Sequence, residues 1–195
     1  MSSTARRTTP RLIHDTRDIQ VDAQTNRRAS AHGDDLTCPK CERAFARRSH
    51  RKGIFEFLCS FVLIYPYRCQ LCAHRFLATP KLSARAPHRE FERLRVEFPA
   101  SFQSAYLDRK ISGDGTLTTL SIRGCSLIAQ QPMGRGTFLR LQFRYSETDA
   151  PIEIDVAVVR MPGRNQVGLE FLTVRPKEEE RLRRLLEHLL YGRFH

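Results

Sequence analysis

Two pairs of cysteines, Cys38-Pro39-Lys40-Cys41 and Cys69-Gln70-Leu71-Cys72, stand 27 residues apart in a chain of 195. No other feature constrains the fold as strongly. A CxxC segment folds as a tight turn that aims two thiolates at one point, and two such turns complete a tetrahedral set of sulfur ligands. Four thiolates leave no open coordination position, so a metal held there is structural rather than catalytic. The alternative, free thiols in a reducing compartment, leaves the repeated spacing unexplained.

The flanking residues agree with this. Pro39 stiffens the first turn, Tyr67-Arg68 leads into the second, and His74-Arg75-Phe76 places an aromatic ring beneath it. The pattern CPxC…YxCxxCxxxF resembles a zinc ribbon across residues 38–79. That resemblance implies structural Zn(II) on Cys38, Cys41, Cys69 and Cys72. His74 reads as a neutral residue capping its turn in preference to a replacement for one Cys ligand. The interval between the pairs holds the most apolar run, Ile54 to Tyr65 (IFEFLCSFVLIY), which spans 12 residues and contains Glu56. It is too short to cross a bilayer and fits a core or interfacial segment. Cys59 within it, and Cys125 further on, read as buried core.

Charge is unevenly placed. Of 33 Lys+Arg and 21 Asp+Glu, residues 38–95 hold thirteen basic against four acidic, whereas residues 96–195 hold fourteen against twelve. The positive field therefore sits in the middle third and attracts phosphates of nucleic acid, a nucleotide or an anionic membrane. Residues 1–37 have scattered aliphatics and no sustained period, which reads as a disordered arm. Their lack of an apolar signal segment points to a cytoplasmic address. Residues 80–88, with Pro80 and Pro87, read as a polar linker.

From Arg93 the period changes to two. Leu94, Val96 and Phe98 alternate with charged residues, and Pro99 is expected to kink that strand. Ser112-Gly113-Asp114-Gly115 carries a hairpin signal. Alternation returns at Leu139–Tyr145, Ile152–Val158 and, after a Pro162-Gly163 turn, Val167–Phe171. Strands at this spacing, each with one apolar face, indicate an antiparallel barrel or sandwich. After Pro176 the leucines at 182, 185, 186, 189 and 190 repeat at helical spacing. Acids at the start and Gly192 at the end frame a helix whose leucine face covers its own barrel.

Just before the first strand lies Arg89-Glu90-Phe91-Glu92-Arg93, an RxxxR spacing. If helical or tightly turned, it puts two planar, forked cations on one side, suited to phosphate and to stacking on a purine. Further on, TTLSIRGCSLI (118–128) interrupts an apolar pattern with a hydroxyl, a cation and a glycine. It reads as a strand entering a ligand rim rather than a bulged strand. With the strands GTFLRLQF and VGLEF and the terminal helix, this order resembles a PilZ domain over residues 89–192. The resemblance implies a mainly β fold: a six-stranded antiparallel barrel with a C-terminal helix, following the small N-terminal ribbon.

It also implies a non-catalytic bacterial receptor for cyclic di-GMP, clamped between the RxxxR arm and the barrel. Arg89 and Arg93 would take the phosphates and guanine edges, Ser121 would offer its hydroxyl, and Gly124 would allow close backbone approach. Thr119 departs from the family, which carries Asp or Asn there. A Thr hydroxyl is the weaker acceptor for a guanine edge. Two other readings compete. One is a PilZ scaffold that lost the nucleotide and binds a protein partner; the other is nucleic-acid binding through the basic ribbon. Catalysis is the poorest option, because no nucleophile has a base at a recognisable spacing.

Overall fold

The computed structural model describes residues 36–79, 90–106 and 111–191. The expected arm (apart from Leu36 and Thr37), the linker, Arg89 and Gly192 lie outside the described residues. Among the described residues, nine strands and two α-helices follow in order: β1 (Ala46–Arg48), α1 (Ile54–Cys59) with a 3-10 turn (Ser60–Val62), β2 (Tyr65–Cys69) and β3 (Arg75–Ala78). Then come β4 (Leu94–Ser104), β5 (Ser112–Ser121), β6 (Gly124–Ala129), β7 (Phe138–Phe143), β8 (Ile152–Met161), β9 (Gln166–Thr173) and α2 (Pro176–Tyr191).

The first three strands form a small antiparallel sheet in the order β1-β2-β3. The other six close into an antiparallel barrel in the order β4-β5-β6-β9-β8-β7, with β4 paired to β7 at the seam. Period-two alternation is the cause. Leu94, Phe98, Ala100 and Phe102 of β4 point inward while their neighbours face out, and Leu139, Leu141 and Phe143 do the same on β7. Full burial of each large side chain stabilises by about 1.5–3 kcal/mol. Inside, Phe98 and Phe143 stack with centroids 6.4 Å apart. Helix α2 lays Leu182, Leu185, Leu186 and Leu190 on this core. Pro176 opens it, and Glu178 and Glu179 sit in the first turn, where the helix dipole favours acid.

Two expectations change. Ser112–Gly115 is no hairpin but the start of β5, paired Ser112 to Gln103 and Gly113 to Phe102. The glycines are there for room: a Cβ on Gly113 would lie 3.1 Å from the Phe102 ring, and one on Gly115 2.3 Å from the Ile128 carbonyl. β4 itself runs on through Pro99, with a register shift just before it, between Arg95 and Phe98. Cys59 is not buried core, because no residue of α1 is buried. Cys125 is buried, as expected.

Candidate functional site

The four cysteines converge. The Sγ atoms of Cys38, Cys41, Cys69 and Cys72 all lie within 4.8 Å of one another, with Cys38–Cys72 and Cys41–Cys69 both at 3.6 Å. A tetrahedron of sulfurs around a cation at about 2.3 Å has edges of about 3.8 Å, so the donor set fits a tetrahedral thiolate site.

The two turns are built alike. The N–H of Cys38 donates to the Arg43 carbonyl and that of Glu42 to the Cys38 carbonyl; Cys69 with His74, and Ala73 with Cys69, repeat the pattern. Glu42 and Ala73, each the residue after its CxxC pair, both adopt φ of 57°. Burial pushes the Cys72 thiol up to about 11 and the Cys69 thiol higher still. Around Cys38 burial also acts upward, but the N–H groups of Cys41 and Lys40 outweigh it and lower the thiol. Four thiolates this close repel one another, and a cation in their midst would offset that repulsion. His74 is not among the converging donors; its ring stacks on Phe76, which in turn stacks on Tyr67.

The second candidate site lies on the outer face of the barrel. TTLSIRGCSLI is a hairpin: β5 ends at Ser121, Ile122-Arg123 make the turn, and β6 begins at Gly124. It does carry a bulge, since the register shifts between Leu117 and Thr119 around Thr118. Leu120, Cys125 and Leu127 point into the core, which leaves Thr119, Ser121, Gly124 and Ser126 on the opposite face. Thr119 pairs with Arg95 on one side and Ser126 on the other, and Ser126 pairs with Gly168. In the next row Ser121 pairs with Gly124 and Gly124 with Glu170.

Into this face reaches Arg93. Its guanidinium donates to Ser126 Oγ at 3.1 Å, and Thr119 Oγ1 donates to the same oxygen at 2.9 Å. The second arginine of RxxxR and the strand motif, 26 positions apart in sequence, thus meet on one hydroxyl. Ser126 was not among the expected site residues; its signal was register, because two-residue hairpins set position 126 across from 119.

Ser121 is buried and its hydroxyl donates to the Gly124 carbonyl at 2.9 Å, tying the hairpin turn. Gly124 has a packing reason of its own: a Cβ there would lie 2.2 Å from the Leu169 carbonyl of β9. The RxxxR segment is a bend rather than a helix over residues 90–93.

Residues 90–92 are held by the cysteine module. Gln70 brackets them, donating from Nε2 to the Glu90 carbonyl at 3.2 Å and accepting from the Glu92 N–H at 2.7 Å. The Glu90 carboxylate faces Lys52 at 3.1 Å, Arg68 at 3.7 Å and Arg75 at 3.8 Å, and Glu92 pairs with Arg47 at 2.6 Å. Burial pushes the Glu90 carboxyl up, but Lys52, Arg68 and Arg75 outweigh it and hold it below the usual value. Arg68 also lies 5.4 Å over the Phe91 ring. On the far side Phe45 meets Tyr191 of α2 edge-on at 5.1 Å, and Arg43 pairs with Glu187 at 3.1 Å.

No curated protein matches the chain. Among solved structures it is similar to the PilZ domain of CeSA from a cellulose-synthesizing bacterium, at 16% identity and a TM-score of 0.42, covering 50% of this chain and 97% of that one. The PilZ domain of YcgR from Escherichia coli, solved with c-di-GMP, is similar at 16% identity and a TM-score of 0.43, covering 54% and 94%. MrkH from K. pneumonia in its apo state is similar at 15% identity and a TM-score of 0.45, covering 75% and 77%. The PilZ domain family model matches residues 87–188, more than half of the sequence. By that match the chain belongs to the PilZ domain family.

Proposed function

We propose that the chain is a cyclic di-GMP receptor that passes ligand binding to a zinc-stabilised module through the residues between its two motif arginines. PilZ domains are non-catalytic effectors, so the output is a change of shape or partner. The observation that carries the reading is Arg93 seated on Ser126 beside Thr119. A guanidinium already resting on the outer face needs only to exchange a neutral hydroxyl for a phosphate, the stronger, charge-assisted partner. Arg89 supplies the second cation of the clamp. Thr119, Ser121 and Gly124 form the floor beneath it, with Zn(II) held by Cys38, Cys41, Cys69 and Cys72 as a structural ion.

Because Glu90 and Glu92 are bonded to the module while their neighbours bind ligand, closing the arginines pulls on Arg47, Lys52, Arg68 and Gln70. The test is calorimetric titration of the zinc-replete protein with cyclic di-GMP. Binding is expected, and each of Arg89→Ala and Arg93→Ala should weaken it about tenfold to hundredfold, the worth of one charge-assisted contact. Absence of heat at ligand concentrations well above micromolar would refute the proposal.

A second reading, a scaffold that binds a protein partner without nucleotide, draws on Thr119 and Ser121. Both hydroxyls are donated within the protein, and neither side chain offers the carboxylate or amide acceptor that suits a guanine edge. Under it the wild type stays silent in the titration and Thr119→Asp creates binding. Under the receptor reading the same variant improves existing binding by about one to two decades.

A further inference from the structure

The tip of the cysteine module is left uncovered by the other described residues. Ile54, Phe55, Leu58, Phe61, Val62 and Leu63 are 58–79% exposed, and no residue of α1 is buried. Single apolar side chains on a surface need no explanation, whereas six within ten residues mark a docking site. The segment is a shaped projection. Gly53, at φ of 97°, turns the chain into α1, and Leu63, at φ of 59°, turns it back toward β2. A non-glycine residue in the left-handed region is uncommon, so the return is a formed turn and not a loose loop.

The acid of the run has been taken out of the tip. Glu56 is turned inward, where its carboxylate accepts from Arg75 Nε and Nη2 at 2.7–3.1 Å and from the Lys52 N–H. Burial acts upward on its carboxyl, but the bonds from Arg75 and Lys52 prevail and keep it ionised and paired. The apex is thereby free of negative charge. At its root stands a collar of cations on aromatic rings: Arg48 lies 3.7 Å over Tyr65, and Arg51 lies 5.7 Å from Tyr65 and 5.9 Å from Phe57. Over residues 36–79 eight Lys+Arg face two Glu.

An apolar apex, a ring of tyrosine and arginine at its base, and a positive field behind it suit an anionic lipid surface. A protein groove grips one stripe of a helix, whereas the exposed Ile54, Phe55, Phe57 and Leu58 leave to the module only the side of α1 that carries Glu56, a spread that suits a medium surrounding the tip. The six residues of α1 span about 9 Å, far short of a crossing. No helix among the described residues is long and apolar enough to cross a membrane.

We infer that Ile54–Leu63 inserts into the headgroup region of an anionic bilayer, with Arg48 and Arg51 at its root against the phosphates. The inference is independent of nucleotide binding. It is tested by sedimenting the full-length, zinc-loaded protein with vesicles of phosphatidylcholine alone or with roughly a third phosphatidylglycerol, the source of negative surface potential. Binding to the anionic vesicles is expected. Phe55→Ser/Phe61→Ser should weaken it at least tenfold by removing buried apolar area. Arg51→Gln should weaken it about fivefold, and raised salt should weaken it further.

Both phenylalanines are exposed, so the variants should keep wild-type zinc content and melting. Since the chain has no Trp, Phe55→Trp supplies a single reporter whose emission should shift to the blue on anionic vesicles. Failure to sediment with either vesicle, equal affinity for uncharged ones, or an unshifted Trp would each overturn the inference. So would a dimer, seen by light scattering without lipid and lost in the Phe55→Ser/Phe61→Ser variant, because the surface would then belong to a second copy.

Discussion

Among the described residues, nine large side chains of the barrel strands are fully buried, from Leu117 and Leu120 on β5 to Leu169 on β9, whereas in the cysteine module only Tyr67 and Leu71 are. At about 1.5–3 kcal/mol each, two such side chains fall well short of the entropy lost in ordering the module's backbone. The barrel has its own means of stability and the module does not. Small domains of this kind lean on metal. The contrast also suggests a division of labour: the barrel supplies a face for Arg93 to rest on, and the module supplies a part whose stability would hang on the ion its four cysteines are proposed to hold.

Removing the proposed zinc is the sharpest way to break the contrast. Structural zinc sites contribute about 10–16 kcal/mol of apparent binding energy to folding, so a strong chelator at neutral pH should unfold the module. Hydrogen exchange should show amides of residues 38–79 losing protection while those of β4 to β9 keep theirs, and Cys69→Ser should do the same without chelator. If the barrel opened together with the module, the two would be one cooperative unit. The bracket that Gln70 makes around Glu90 and Glu92 would then be the reason.

A cavity in the barrel asks the converse question. Leu141 is fully buried between Phe102 of β4 and Ile154 of β8. Leu141→Ala should lower stability by about 2–5 kcal/mol, read as a drop in the thermal midpoint, and leave zinc stoichiometry at one ion per chain. A loss of zinc from a protein whose barrel is merely weakened would show that the module depends on the barrel, and the division of labour would fail.

What could be read from sequence follows the same division. The barrel was legible because inward residues such as Leu139, Leu141 and Phe143 alternate strictly, and the cysteine cluster because thiolate spacing has few other uses. Ser112–Gly115 misled because glycine and aspartate mark turns only when nothing else needs the space; here Phe102 and the Ile128 carbonyl need it. The RxxxR and TxSxxG motifs were visible, but Ser126, the hydroxyl that joins them, is specified by hairpin register rather than by a motif. Gly124, expected from its motif as a point of ligand approach, also answers to the Leu169 carbonyl, a contact across strands no local pattern encodes. The apolar run Ile54–Tyr65 was plain to see, yet composition cannot say whether such a run turns in or out. That depended on Arg75, 19 positions beyond Glu56, drawing the acid inward.

The smallest expected effect concerns the seam between the regions. Glu90 is three-tenths exposed and faces Lys52, Arg68 and Arg75, so its pairing is worth less than about 1 kcal/mol after solvent screening. Its carboxyl titrates below the ordinary value of 4.5. A lowered folded-state value means the contribution is present above the unfolded value and is lost as pH falls through the folded one. Glu90→Gln should therefore cost its small increment at neutral pH, and the gap between wild-type and variant midpoints should close as the pH drops below about 4.5. A gap that persists in acid would mean that packing, not charge, holds the seam. The size matters to the proposed signal: an ion pair flanked by Arg89 and Arg93 and worth less than one phosphate contact can give way when those arginines close on a ligand. A stronger seam would instead lock the module to the barrel whether or not ligand were bound.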